Sequence, residues 1–119
     1  MKTKKINLTI TGCLGRMGQQ LIKSASKDKR FKINSLTENK LQRKKILGIL
    51  PKLNSSEKFK KSDVIIDFTI PKCTLEVLNI AAKQKKREII GTTGFSLKEE
   101  NTIKKISKKI PILKAGNMS

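Results

Sequence analysis

The stretch from Ile6 to Gly18 constrains the fold of this chain more than any other. Its first part alternates apolar and polar residues, as a short buried strand does, and it runs directly into three glycines, Gly12, Gly15 and Gly18. Apolar residues then recur at helical spacing, which predicts a helix from about Gly15 to Lys27. A strand, a glycine turn and a helix in this order suit a dinucleotide, because glycine lets the backbone approach the pyrophosphate and the helix N-terminus offers free N–H groups.

The spacing of these glycines is G-x-x-G-x-x-G, whereas the commoner dinucleotide fingerprint is G-x-G-x-x-G. Glycines at a strand-to-helix turn also occur for purely structural reasons, and the motif alone leaves both interpretations open. Glu38 favours binding, since it lies 20 residues after Gly18, at the end of a second predicted strand, Phe31 to Thr37. An acidic residue at that place accepts hydrogen bonds from ribose hydroxyls. The alternative is a solvated glutamate in a loop.

Length and composition limit the chain to one domain. Its 119 residues can form one core, and no apolar run is long enough for a transmembrane helix. The first residues lack the features of a signal peptide, which predicts a cytoplasmic location. Cys13 and Cys73 fit neither a metal-ligand cluster nor a disulfide framework. Without histidine, the chain lacks the usual acid–base side chain at neutral pH.

The net charge of +19, from 28 Lys and Arg against 9 Asp and Glu, is the most unusual feature of the composition. Such a charge is typical of proteins that bind nucleic acid or another polyanion. However, the excess is mostly lysine spread along the chain, and four Phe are the only aromatic residues. Base stacking and bidentate arginine recognition are therefore largely missing. We interpret the charge as a compositional bias and expect only nonspecific, salt-sensitive binding to nucleic acid.

The second half of the sequence alternates strands and helices. The predicted elements are strands at 64–68, 87–90 and from Pro111, a helix opened by residues 69–71, and a helix that starts with a capping box of Ser96 and Glu99. Residues 39–62 are less regular. They suggest a short basic helix over Lys40–Leu50, ended by Gly48 and Pro51, and a loop at 54–56.

This order of elements predicts an α/β fold of three layers, a doubly wound, Rossmann-like parallel sheet with helices on both faces. Ligands bind such a sheet beyond the carboxyl ends of its strands, where the strand order reverses. Five stretches are expected to meet there: the glycine turn, Glu38, Phe68-Thr69, 91–94 and 115–117.

Four motifs stand in the order and approximate spacing of a known family: T-G-C-L-G-R-M-G at 11–18, D-F-T-I-P at 67–71, I-G-T-T-G-F at 90–95 and A-G-N-M-S at 115–119. With these residues the chain resembles the dihydrodipicolinate reductase (4-hydroxy-tetrahydrodipicolinate reductase) family, from about Ile6 to its last residue. The resemblance implies an oxidoreductase that uses NADH or NADPH in the diaminopimelate route to lysine.

The resemblance also implies the cofactor contacts. The glycine turn would hold the pyrophosphate, Glu38 the adenosine ribose, and the ends of the later strands the nicotinamide. The implied cofactor-binding residues are Gly12, Cys13, Leu14, Gly15, Arg16 and Met17 in the turn; Glu38, Asn39 and Lys40 after the second strand; Phe68 and Thr69 after the third; Gly91, Thr92 and Thr93 on the nicotinamide side; and Ala115, Gly116, Asn117 and Met118, which would close the pocket. It assigns no catalytic or metal-binding residue within the chain.

Three residues depart from the family pattern. Many members carry an arginine directly after the ribose-binding acid, where this chain has Asn39 followed by Lys40. Lys40 could meet a 2′-phosphate only as a point charge, so we expect NADH to bind at least as well as NADPH. Ile70 stands where Arg or His is common in the family, and Met118 replaces a phenylalanine.

The resemblance covers only the cofactor half of the family. There, Asn117-Met118-Ser119 leads into a second domain with a His-rich catalytic motif, an essential lysine and the tetramer-forming sheet. We therefore expect residues 1–119 to form a dinucleotide-binding domain without the substrate domain, and without activity of its own. A sixth strand of the sheet is expected from the missing part, which would leave an edge open beside the last strand. The alternatives are a non-catalytic nucleotide-binding remnant, a half-enzyme completed by a separate chain, and a basic polyanion-binding protein.

Overall fold

The computed structural model describes residues 4–12, 14–40 and 42–115. Their elements are β1 (Ile6–Thr11), α1 (Arg16–Lys27), β2 (Phe31–Glu38), β3 (Lys52–Leu53), α2 (Ser56–Phe59), β4 (Val64–Asp67), α3 (Pro71–Lys83), β5 (Arg87–Ile90), α4 (Leu97–Ile106) and β6 (Ile112–Lys114). The predicted alternation of strands and helices is confirmed. Among these helices, none combines the length and the apolar character that crossing a bilayer requires.

The six strands form one sheet in the order β3-β2-β1-β4-β5-β6, and every neighbouring pair is parallel. From β1 the chain first adds strands on one side, and then crosses over to add β4, β5 and β6 on the other. This is the doubly wound order, which confirms the predicted Rossmann-like fold. Because all strands are parallel, their carboxyl ends lie at the same end of the sheet.

The core has two parts, one on each face of the sheet, since successive side chains of a strand point to opposite faces. Ile10 and Ile66 are register partners on the face of α1, where Ile22 of that helix packs against them. Ile65 and Ile90 lie on the other face, under α2, α3 and α4. The buried apolar residues that pack with these two are Phe59, Val77, Leu78, Ala81, Ile103, Ile106 and Ile110.

The predicted capping box at the start of α4 is confirmed. The Ser96 hydroxyl accepts a hydrogen bond from the Glu99 N–H (3.1 Å), and the Glu99 carboxylate accepts one from the Ser96 N–H (2.8 Å). Two N–H groups that the helix itself leaves without acceptors are thereby satisfied.

The basic helix predicted for Lys40–Leu50 is wrong for the residues that the structure describes. Ile46 and Ile49 instead form an antiparallel bridge, with N···O distances of 2.8 and 2.9 Å. The two residues between them, Leu47 and Gly48, have φ angles of 50° and 78°. Two successive residues with positive φ form the kind of tight turn found in β-hairpins, and this backbone conformation is incompatible with a right-handed helix.

A strand that was not predicted from the sequence, β3, brings the sheet to six strands at the edge beside β2, whereas the strand expected from elsewhere would lie beside the last strand and stays a prediction. β3 has only two residues and pairs with Thr37 and Glu38 at the end of β2. The loop predicted at 54–56 leads directly into α2, where the Ser55 hydroxyl accepts a hydrogen bond from the Lys58 N–H (3.3 Å). β6 forms the opposite edge of the sheet.

Candidate cofactor-binding site

A pocket opens beyond the carboxyl ends of β1, β2 and β4, where the strand order reverses. Its lining residues are Gly12, Gly15, Glu38, Asn39, Phe68, Thr69, Ile70 and Cys73. The first six were predicted from the sequence, and they come from three separate stretches of the chain. The fold therefore brings together the glycine turn, the end of β2 and the end of β4.

Close backbone contacts shape the glycine turn. Gly12 has a φ of +70°, its N–H donates to the Thr37 carbonyl (3.1 Å), and its own carbonyl accepts from the Gly15 N–H (3.0 Å). A Cβ on Gly12 would lie 2.2 Å from the Phe68 carbonyl oxygen, so only glycine fits there. A Cβ on Gly15 would meet only the Gly12 carbonyl oxygen, at 3.4 Å. The fold therefore requires glycine at position 12, whereas at position 15 it leaves space that a ligand can use.

Two helices begin at the pocket without a side-chain cap. Gly15 is the N-cap residue of α1 and Ile70 that of α3; neither makes a capping hydrogen bond, and neither helix has an acidic residue in its first turn. By contrast, Ser55 and Ser96 cap α2 and α4. The first-turn N–H groups of α1, those of α3 that follow Pro71, and the partial positive charge of both helix ends are therefore available to an anion.

Glu38 borders the pocket at the end of β2. One of its carboxylate oxygens, Oε2, accepts a hydrogen bond from the Leu14 N–H in the glycine turn (2.8 Å). The other, Oε1, has no hydrogen-bond partner among the described residues and can accept one from a ribose hydroxyl. Asn39 and Lys40 follow on the exposed surface, and the Asn39 side-chain amide lies 3.7 Å from the sulfur of Cys73.

The end of β5 lies under the ring of Phe68. A Cβ on Gly91 would lie 1.8 Å from this ring, so the ring packs directly on the glycine backbone. Thr92 is buried, and its hydroxyl accepts a hydrogen bond from the Thr69 N–H (2.9 Å). Its side chain therefore holds the neighbouring strand end, whereas the next residue, Thr93, is exposed.

The other predicted residues lie around this pocket or outside the described part of the chain. Ala115 is half-buried, and its N–H donates to the Ile90 carbonyl (2.7 Å), which keeps it beside the end of β5. Exposed positions next to the glycine turn are held by Leu14, Arg16 and Met17. Outside the described residues lie Cys13, Gly116, Asn117 and Met118.

Sequence reasoning missed two residues of this region. Cys73 lines the pocket because it lies in the first turn of α3, and the predicted start of that helix at Pro71 already implied this location. Asp67 is wholly buried, and its Oδ1 accepts hydrogen bonds from the hydroxyls of Thr11 (2.6 Å) and Thr69 (2.8 Å). Burial raises the pKa of the Asp67 carboxyl, and the hydrogen bonds from threonine hydroxyls oppose this rise. The sequence signal that could have identified Asp67 is an acidic residue at the end of a predicted strand.

Comparison with known proteins gives consistent matches. A family model described as dihydrodipicolinate reductase, N-terminus, matches residues 6–118. The chain is 67% identical over 116 residues to the 4-hydroxy-tetrahydrodipicolinate reductase of Pelagibacter ubique (strain HTCC1062), covering 98% of this chain and 45% of that protein. It is 43% identical over 130 residues to the protein of the same name from Buchnera aphidicola subsp. Acyrthosiphon pisum (strain Tuc7), with coverages of 98% and 47%. The chain thus spans about half the length of the curated relatives it matches.

Solved structures share the fold. A dipicolinate-bound dihydrodipicolinate reductase from Paenisporosarcina sp. TG-14 superposes with a TM-score of 0.78 at 21% identity, over 96% of this chain and 48% of that one. A homoserine dehydrogenase from S. aureus superposes with a TM-score of 0.74 at 16% identity, over 93% and 32%. At these identities, the likeness establishes a common fold.

Proposed function

The chain belongs to the dihydrodipicolinate reductase family, and on this premise we propose that it binds a nicotinamide dinucleotide as the cofactor half of such a reductase. The reaction is the NAD(P)H-dependent reduction of 4-hydroxy-tetrahydrodipicolinate to tetrahydrodipicolinate, in the diaminopimelate route to lysine. The observation that carries the proposal is that two uncapped helix N-termini meet Glu38 at one pocket. Positive helix ends suit a pyrophosphate, and a carboxylate suits ribose hydroxyls.

Each part of the pocket has its own task in this proposal. The first-turn N–H groups of α1 bind the pyrophosphate, which approaches over the open space at Gly15. Glu38 accepts hydrogen bonds from the adenosine ribose and so fixes that end of the cofactor. Gly91 and Thr93 border the nicotinamide end. When bound, the dinucleotide supplies the hydride, and the chain supplies binding and orientation.

The substrate-binding and proton-donating groups are proposed to lie in polypeptide that this sequence does not contain. The sequence has no histidine, the side chain that most often transfers protons at neutral pH. Residues 1–119 then act as one dinucleotide-binding domain, and the substrate domain is supplied by further polypeptide, in the same protein or in a separate chain. We place this reaction in the cytoplasm, with nonspecific contacts as the only role for nucleic acid.

One face of the sheet supports this division. α1 packs over β1 and β2 and reaches Ile66 of β4, but in the part of the chain that the structure describes no helix packs on the same face over β5 and β6. Ile66 and Ile89 are register partners there and are only half-buried, and Leu113 of the edge strand is 61% exposed. Parallel sheets normally bury both faces. This apolar surface is suited to contact with a second domain.

NADH is expected to bind at least as tightly as NADPH. Asn39 cannot form the bidentate ion pair that an arginine makes with a 2′-phosphate, and Lys40 is exposed. The carboxylate of Glu38 also disfavours a phosphate beside it. Titration with each cofactor measures the preference, and Asn39→Arg should shift it toward NADPH by about tenfold, the effect of one added charge-assisted contact. A clear preference of the unmodified chain for NADPH would contradict this prediction.

Titration of the purified chain with NADH tests the site itself. Nicotinamide fluorescence can be followed without interference, because the chain has no Trp or Tyr. We expect saturable binding that survives near-physiological salt and weakens in Gly15→Ala, since the new methyl group occupies the space that the pyrophosphate needs. The same variant should keep its unfolding midpoint, because its Cβ makes only one ordinary contact. Ser55→Ala changes a helix N-cap residue outside the pocket and should leave NADH binding unchanged.

Two outcomes would contradict the proposal in different ways. NADH binding that is lost at near-physiological salt, or that is unchanged in Gly15→Ala, would mean that the lysines bind the phosphates of NADH nonspecifically. Turnover of substrate by the chain alone would contradict the proposed division between two domains, while leaving the cofactor site in place.

A further inference from the structure

Beneath the pocket, a buried hydrogen-bond network joins three strand ends. The side chain of Asp67, at the end of β4, accepts from the hydroxyls of Thr11 at the end of β1 (2.6 Å) and of Thr69 (2.8 Å). The hydroxyl of Thr92, after β5, accepts from the Thr69 N–H (2.9 Å) and from the Thr74 hydroxyl of α3 (2.8 Å). The network therefore ties β1, β4, β5 and α3 together where the pocket opens.

The segment Phe68-Thr69 is the part of the pocket wall that this network holds. A Cβ on Gly12 would lie 2.2 Å from the Phe68 carbonyl oxygen and 2.9 Å from the methyl carbon of Thr69. A Cβ on Gly91 would lie 1.8 Å from the Phe68 ring. The segment thus touches both the glycine turn and the end of β5, and any shift of it changes the spacing between the two ends of the proposed cofactor site.

Burying a carboxyl group in a protein interior costs free energy, even where it accepts hydrogen bonds from two hydroxyl groups. Asp67 is wholly buried, and its Oδ2 has no hydrogen-bond partner among the described residues. Elsewhere on the same sheet face, the chain satisfies buried hydroxyls with other hydroxyls: Thr9 bonds to Ser35 (2.7 Å) and to Ser62. A hydroxyl cluster in this fold therefore does not need a carboxylate, and the position of Asp67 calls for a specific explanation.

We propose that Asp67 is a positioning residue for the dinucleotide. By accepting hydrogen bonds from Thr11 and Thr69, it fixes Phe68-Thr69 against the glycine turn and so sets the affinity for the cofactor. This inference rests on the proposed function. If the role of Asp67 were purely structural, its removal would lower stability but would not change how tightly the folded molecules bind NADH.

The test measures NADH affinity and unfolding midpoint side by side for Asp67→Asn, Asp67→Ala and Thr9→Val, using nicotinamide fluorescence at near-physiological salt and urea titration. Asparagine keeps an oxygen that both hydroxyls can reach, so we expect an affinity within about threefold of the unmodified chain. Alanine removes the acceptor, and we expect binding to weaken by about tenfold or more. Thr9→Val disrupts the other hydroxyl cluster, so it should lower the midpoint while the affinity stays within about twofold.

Unchanged NADH affinity in Asp67→Ala would overturn the inference. Equal losses in Asp67→Asn and Asp67→Ala would also overturn it, since the charge of the carboxyl, and not its position, would then be what matters. If Asp67→Ala does not fold, Thr11→Val takes its place: it removes one of the two donors and should weaken binding by about threefold, and unchanged binding would again overturn the inference. If the unmodified chain itself does not bind NADH, the proposed function fails instead, so the two failures are distinguishable.

Discussion

Replacing Gly12 by alanine is expected to lower the free energy of unfolding by about 3 kcal/mol or more and to abolish NADH binding. Gly12 has a φ of +70°, a conformation that costs an L-residue about 1 kcal/mol. The larger effect comes from the added Cβ, which would lie 2.2 Å from the Phe68 carbonyl oxygen. That oxygen belongs to the backbone and cannot rotate away, so the glycine turn and the end of β4 must separate. Urea unfolding and NADH titration measure the two effects.

Gly48→Ala is the matched control for this variant. Gly48 has a φ of +78°, and nothing lies within 4 Å of the position that its Cβ would take. The variant therefore carries the conformational cost alone, about 1 kcal/mol, and should bind NADH like the unmodified chain. The difference between the two variants isolates the close approach of Phe68 to the turn. If both variants lost the same free energy of unfolding, the close contact between Phe68 and the glycine turn would not contribute to the loss.

Local patterns predicted most of the fold, because apolar periodicity and helix-capping residues can be recognised within short stretches of sequence. The strand predicted over Arg87–Ile90 has the same bounds in the structure, and the strand predicted at 64–68 is one residue shorter. The capping box of Ser96 and Glu99 could be predicted because both hydrogen bonds join residues three apart in the chain. The parallel, doubly wound sheet was predicted from the alternation of strands and helices, since parallel strands need crossover connections.

The segment after β2 could not be predicted in the same way. The turn at Leu47 and Gly48 places a leucine at positive φ, which leucine seldom adopts and which composition does not indicate. β3 has two residues and exists only because the end of β2 offers a free edge, so its cause lies in residues remote in sequence. The many lysines here fit an exposed helix equally well, and this led to the wrong prediction for Lys40–Leu50.

For the candidate site, the sequence predicted which stretches meet but not how their side chains are used. Thr92 illustrates the difference: the motif places it at the nicotinamide end, whereas its hydroxyl is bonded to the Thr69 N–H inside the fold. Asp67 could not be assigned because its two donors come from β1 and from the loop after β4, and only the folded sheet brings them together. Contacts of this kind depend on register, which periodicity does not fix.

Glu88→Gln is expected to stabilise the chain above neutral pH, by an amount of the order of 4 kcal/mol at about pH 8. Glu88 is 1% exposed on the sheet face that α3 and α4 cover, and its two carboxylate oxygens have no partner among the described residues. Burial, and then the nearby charge of Asp67, raise the pKa of Glu88 from its ordinary value of 4.5 to about 9. The folded chain thus keeps a proton that the unfolded chain releases near pH 4.5.

The sign of the pH dependence follows from this proton. Between about pH 4.5 and about pH 9, the folded state binds one proton more at Glu88 than the unfolded state, so stability falls as the pH rises, by up to about 1.4 kcal/mol per pH unit. Glutamine cannot ionise, and the variant should lose this slope. Urea unfolding at several pH values should therefore give nearly equal stabilities at about pH 5 and a growing advantage for Glu88→Gln toward about pH 8.

Glu76→Gln separates this effect from a change in net charge. Glu76 lies exposed on α3. Its replacement by glutamine removes one carboxylate from the same basic chain, of net charge +19, but leaves the buried side chains unchanged. Removing an exposed carboxylate from a strongly basic chain increases self-repulsion, so this control should be slightly less stable and keep the pH slope of the unmodified chain. If Glu88→Gln instead runs parallel to the unmodified chain at all pH values, the Glu88 carboxyl is ionised in the fold, and a cation or water must reach it beneath α3 and α4.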